Sequence, residues 1–140
     1  RYFIVRTSWV YGKFGNNFVK TMLKLASERD SVTVVEDQIG SPTYTYDLSQ
    51  FLIELVQTER YGVYHASNTG SCSWYEFAKA IFEESGIPIR TEPCTTKQFP
   101  RPAPRPAYSV MDHSAIRQNG FKDLRPWREA LRAFLKELKA

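Results

Sequence analysis

The sequence predicts an α/β fold. Two observations carry that expectation. Short apolar, β-branched runs alternate along the chain with stretches whose apolar residues recur at helical spacing, and glycine and proline gather in the links between them. With 140 residues, 42% of them hydrophobic and 24% charged, the chain suits one globular domain or the ordered part of one, and a disordered or fibrous class is excluded.

The elements follow in order. "RYFIVR" reads as a strand apolar on both faces, hence buried. It has no polar lead-in, so it is expected to be an internal strand of something longer. Left unpartnered, its edge and face would invite self-association, as a homodimer or less specifically. Asn17 caps a helix on which Phe18, Met22 and Leu25 recur at i, i+4 and i+7, with Val19, Leu23 and Ala26 widening the stripe. Val32–Val35 is a short strand, and "EDQIGSPTYTYD" a turn-rich link carrying Gly40 and Pro42. Thr45 is expected to cap a second helix, with Leu48, Phe51, Leu52 and Leu55 on one face.

Gly62–Ser67 is the next strand. Ser73 and Glu76 form a capping box, each side chain satisfying an amide at the other's position. The helix that follows buries Trp74, Phe77, Ala78, Ile81 and Phe82 and stops at Gly86. "IPIRTEP" adds a short strand. In "FPRPAPRPAYSVMD", four prolines lie between Pro100 and Pro106. Proline fixes φ and lacks an N–H, so this is a stiff loop lining a site rather than helix or central strand. Asp112 starts a short helix ending at Gly120. Pro126 starts the last one, at a first-turn position, with Trp127, Leu131, Phe134, Leu135 and Leu138 along one side.

Several function classes drop out. A net charge of +4 is too small to indicate nucleic acid, and the densest cationic stretch, Arg125–Arg132, contains Glu129 and reads as a solvated helix face. Arg101 and Arg105 suit one small anion better. Cys72 and Cys94 are far apart, and His65 and His113 lack ligand spacing, so neither disulfide nor metal site is expected. No apolar run approaches the roughly 20 residues of a membrane span and no signal peptide opens the chain, which makes the cytoplasm the expected compartment. There is no G-x-G-x-x-G, Walker loop or G-x-S-x-G elbow. Tyr75-Glu-Phe-Ala-Lys79 has the Tyr-x-x-x-Lys spacing that can lower a phenol's pKa for proton transfer. With eight tyrosines in 140 residues the match reads as accidental: it follows a capping box at the start of its helix, away from any cofactor strand.

Three segments, "RTSWVYG…GNNFV", "DQIGSPTYTYDL" and "FPRPAPRPAYSVMD", together with "YGVYHASNTGSCSWYEFAKAIF", resemble the dTDP-4-dehydrorhamnose reductases, a family of extended short-chain dehydrogenases, in order and spacing across all 140 residues. The resemblance implies the C-terminal portion of a Rossmann-like fold, including the substrate-binding part, with residues 1–140 as that part and the dinucleotide-binding portion absent. It implies reduction of the C4 ketone of dTDP-4-dehydro-6-deoxy-L-mannose to dTDP-L-rhamnose by NADPH or NADH, with another nucleotide-sugar reductase or epimerase as a neighbouring alternative. The glycine-rich loop and catalytic Tyr-x-x-x-Lys belong to the missing half, so this chain holds no catalytic residue. By the same resemblance Thr7 and Ser8 lie near the nicotinamide and Trp9 packs on the sugar ring. Asn17 and Phe18 line the nucleotide end, and Arg101, with Arg105, meets the diphosphate. Related epimerases use an arginine near the position of Gly40 or Ser41, and its absence here argues against an epimerase. A non-catalytic relative, partner to methionine adenosyltransferase, is the alternative of a different class.

Overall fold

The computed structural model describes residues 1–140. The alternation is present: strand β1 (Phe3–Arg6), strand β2 (Val10–Tyr11), helix α1 (Phe18–Glu28), strand β3 (Ser31–Val35), strands β4 (Ile39–Gly40) and β5 (Thr43–Tyr44), helix α2 (Thr45–Val56), strand β6 (Gly62–His65), strand β7 (Cys72–Ser73), helix α3 (Trp74–Ser85), strand β8 (Arg90–Cys94), helix α4 (Ser114–Gln118) and helix α5 (Trp127–Lys139). Strands pair two by two. β1 runs parallel to β6, β2 to β5 and β3 to β8, whereas β4 and β7 are antiparallel.

Two apolar clusters result. The larger joins Val19 and Met22 of α1, Val32 and Val34 of β3, Phe77 and Ile81 of α3, and Leu131 and Phe134 of α5. The smaller packs Phe51 and Leu55 of α2 with Tyr64, Ile116 and Leu124. Between them lies a polar knot. Asn68, fully buried, accepts from the Tyr44 N–H (2.8 Å) and donates to Asp47 (2.8 Å) and the Arg125 carbonyl (3.1 Å). Arg125 grips both oxygens of Asp47 (2.8 and 2.9 Å), the two-pronged geometry in which such pairs are strongest.

The capping signals act as expected at Asn17, whose Oδ1 accepts from the Lys20 N–H, at the Ser73–Glu76 box, and at Gly86, which takes the left-handed conformation (φ +67°) that closes a helix cheaply only for glycine. Four expectations are corrected. The first strand is not buried on both faces: it alternates half-buried and exposed, because helices cover only one side of the β1–β6 pair, and Ile4 and Val63 stay 45% and 43% exposed. Thr45 does not cap α2; Tyr44 holds the cap position without a side-chain bond, and Thr45 is the first helical residue. The short helix starts at Ser114, with the Asp112 carboxylate accepting from its N–H, and Pro126 lies just before α5 rather than inside its first turn.

The link from Glu36 to Asp47 lies largely inside the molecule: Gln38 and Gly40–Tyr44 are buried. The reason is backbone pairing: Ile39 pairs with Ser73 and bridges Tyr108, and Thr43 pairs with Val10. Its polar main-chain groups can enter the interior because neighbours satisfy them.

Candidate functional site

The site lies beyond the carboxyl ends of the adjacent parallel strands β1 and β6, where open α/β sheets hold ligands. Three loops meet there and lock one another. The Ser8 hydroxyl donates to the Ser41 carbonyl (2.9 Å), and the Ser41 hydroxyl to the Gly70 carbonyl (2.6 Å). Thr43 donates its N–H to the Trp9 carbonyl (3.0 Å) and its hydroxyl proton to the Ser8 carbonyl (2.6 Å).

These bonds hold Trp9 at φ +48°, the one non-glycine residue with positive φ. A bulky side chain there is strained by about 1–3 kcal/mol, so its surroundings must over-determine it. They do: the indole stacks on Trp74 with centroids 3.7 Å apart and planes within 15°. Gly40 lies so close that a Cβ would fall 2.5 Å from Trp9 Cε2 and 2.9 Å from the Ser109 hydroxyl. Only glycine fits, and no arginine could occupy this position. One face of Trp9 is therefore taken by Trp74.

Asn17 and Phe18 are committed to the scaffold. While Asn17 Oδ1 caps α1, its Nδ2 donates to the Gly12 carbonyl (2.8 Å). Phe18 lies against Trp74 (4.8 Å) and stacks on Phe77 (5.4 Å). Of the two residues expected near a nicotinamide, Ser8 has spent its hydroxyl proton on Ser41, whereas Thr7 is exposed and makes no side-chain hydrogen bond.

The proline-rich loop leaves and rejoins the same segment that supports Trp9. At one root, Asp37 accepts from the Thr96 N–H (3.0 Å) and hydroxyl (2.6 Å), bonds that hold its carboxyl below the ordinary range. At the other, the Ile39 N–H donates to Ala107 (2.8 Å), and the Ser109 N–H to Ile39 (2.9 Å). Between the roots every residue from Lys97 to Tyr108 is exposed. Arg101 and Arg105 pair with no carboxylate; the Arg101 guanidinium lies 5.9 Å over the Phe99 ring. Two free guanidiniums thus hang from a stiffened loop whose feet stand beside Gly40, under the indole.

Trp74, Gln38 and Ser109 escaped the sequence reading as site residues. Trp74 fell in the apolar stripe of its helix, and nothing local sets Gln38 or Ser109 apart. Two shallow concavities, of about 360 and 350 Å³, lie elsewhere, around Asp47, Lys122 and Arg125 and around Lys13, Tyr46 and Glu137. A shelf with one wall encloses little, so geometry and unpaired donors mark this site better than volume does.

The Tyr75–Lys79 pair is not arranged for proton transfer. Lys79 Nζ lies over the Tyr75 ring, 5.6 Å from its centroid, on an open stretch of α3. Ser67, His113 and Asp123 have the order of a hydrolytic triad, with Ser67 Oγ 2.8 Å from His113 Nε2 and Asp123 3.7 Å from Nδ1. Ser67 is fully buried, so no substrate carbonyl reaches it. Burial holds the His113 pKa below its ordinary value, against the pull of Asp123. Burial also pushes the Cys72 thiol up to about 12, which leaves it inert. No group of histidine, cysteine and acidic residues is arranged to hold a metal, and no helix is long and apolar enough to cross a membrane.

The family described as "RmlD substrate binding domain" matches residues 1–140. The chain belongs to that family. Among curated relatives, the spore coat polysaccharide biosynthesis protein SpsK of Bacillus subtilis is 55% identical over 96% of this chain and 47% of its own length. The dTDP-4-dehydrorhamnose reductase of Mycolicibacterium smegmatis is 46% identical over 92% of this chain and 40% of its own length. A crystal structure of dTDP-4-dehydrorhamnose reductase from Bacillus anthracis in complex with NADP superposes with a TM-score of 0.96, at 52% identity, over 98% of this chain and 49% of that one. This chain thus spans about half the length of the relatives it matches, and its α/β architecture is that of the extended short-chain reductases.

Proposed function

We propose that this chain is the sugar-nucleotide wall of a dTDP-4-dehydrorhamnose reductase that reduces the C4 ketone of its dTDP-sugar with NADPH or NADH. The observation that carries the reading is the Trp9 shelf. A strained indole is held beyond two parallel strand ends, and a loop with two unpaired arginines is rooted on the same Gln38–Gly40 segment. An indole presents an apolar face and edge to sugar C–H groups together with one N–H donor. A guanidinium takes two phosphate oxygens at once, and proline stiffening lowers the entropy lost on binding. Sugar at Trp9 and diphosphate at Arg101, aided by Arg105, use both features.

A nicotinamide cofactor supplies the hydride when bound. Thr7, exposed and free of intramolecular bonds, is the side chain here suited to touch it. Ser8 contributes by fixing the loop, and Asn17 and Phe18 by setting the shelf's far end. The cofactor's phosphates and the proton donor belong to residues outside this chain. We assign their half of the molecule to the open face of β1 and β6, where Ile4 and Val63 are exposed and β1 has a free edge. Expressed by itself, the chain should therefore self-associate, seen as a concentration-dependent sedimentation coefficient. A monodisperse monomer that binds no apolar dye would contradict that assignment.

Titration of the complete polypeptide with dTDP and with its sugar conjugate tests the function. Trp9→Ala should weaken the conjugate about tenfold and dTDP much less, whereas Arg101→Ala should weaken both about tenfold. Equal affinities in wild type and both variants would end this reading.

A further inference from the structure

The Gln38 side chain touches both halves of the proposed shelf. It is buried, 8% exposed, and both ends of its amide are used. Gln38 Oε1 accepts from the Trp74 indole N–H (3.2 Å), and Nε2 donates to the Thr96 hydroxyl (3.1 Å). The orientation is forced. An indole N–H only donates, and the single proton of the Thr96 hydroxyl goes to Asp37 (2.6 Å), so Thr96 Oγ1 must accept from Gln38. Trp74 is the residue stacked on Trp9, and Thr96 is the root of the loop that carries Arg101 and Arg105.

We propose that Gln38 is a positioning residue that fixes the indole stack and the root of the arginine loop as one unit, so that sugar and diphosphate contacts are set at a common spacing. The proposal rests on the functional reading above, but the tie itself is a property of the folded chain and can be measured without ligand. Only a side chain with an acceptor at one end and a donor at the other closes the circuit. Leucine fills similar space and closes neither bond. Glutamate keeps the acceptor for Trp74 and presents a second acceptor to Thr96, where a donor is needed.

The experiment uses the complete polypeptide. Two stacked indoles give an exciton couplet in circular dichroism, assigned here by its loss in Trp74→Phe, and amide exchange at Thr96, Gln98 and Phe99 reports the loop root. Gln38→Leu should diminish the couplet and speed exchange at the root about five- to tenfold, the scale of one lost hydrogen bond. Gln38→Glu should keep the couplet and still speed the root. Exchange at Ile81 and Leu131 in the core should stay unchanged, separating loss of position from loss of fold. Where Gln38→Leu fails to fold, Gln38→Glu decides by the same two signals. Wild-type couplet and wild-type root exchange in a folded variant would overturn the proposal.

Binding of dTDP-sugar supplies an independent arm. Trp9→Ala and Arg101→Ala should be coupled in the wild-type background and additive with Gln38→Leu. Should the wild type bind no dTDP-sugar, the functional reading fails, while couplet and exchange still decide the tie.

Discussion

Two stretches of this chain look alike in sequence and behave oppositely. Residues 36–47 and 97–108 are both rich in residues that break helices and strands, yet Gly40–Tyr44 is among the most buried backbone in the molecule and Lys97–Tyr108 is exposed throughout. What separates them is the destination of their main-chain groups. The first pairs with Ser73, Tyr108, Trp9 and Asn68, and so can be enclosed. The second carries four prolines, which offer no N–H, and is tied only at its roots. Burial makes the first a platform, and exposure leaves the second's arginines free for a ligand.

Breaking the platform should have the largest effect. Asn68→Ala removes the acceptor for the Tyr44 N–H and two donated bonds from a fully buried position, and should cost about 3 kcal/mol in urea unfolding. Gly40→Ala forces a methyl into the space of the Trp9 ring and should cost about 2 kcal/mol, while weakening the Trp9–Trp74 couplet. In the loop the effect moves from stability to binding. Arg101→Ala should leave unfolding within about 0.5 kcal/mol of wild type while weakening dTDP about tenfold.

A pH titration sharpens the contrast further. The folded pKa of His113 is depressed by burial, so on acidification the unfolded chain takes up a proton first. Its contribution is complete above the ordinary histidine pKa and is lost as pH falls from there towards and through the folded value. Melting temperature should decline over that window, and His113→Gln should flatten the decline. The smallest effect should come from inserting one glycine after Ala103, at the exposed tip, which should change stability by less than about 0.5 kcal/mol.

Much of this was legible because local chemistry determines it. Asn17, Ser73 with Glu76, and Gly86 mark helix ends through bonds made within a few residues, and helical spacing placed Phe77, Ile81, Leu131 and Phe134 in the core. The sequence by itself also determined that the stretch after Phe99 would be neither helix nor inner strand, since proline's ring settles that wherever it sits. Only tertiary structure decided which links would be interior. The partners of Ile39, Thr43 and Gln38 lie 34 to 70 residues away by the contacts Thr43–Trp9, Ile39–Ser73, Gln38–Thr96 and Ile39–Ser109, beyond any local pattern. The same holds for Trp9: its composition announced an aromatic, but its strained backbone and occupied face come from Thr43, Gly40 and Trp74, brought together by packing alone. Short-range bonds are written in neighbouring letters; the satisfaction of a buried main-chain group depends on whatever the fold sets beside it.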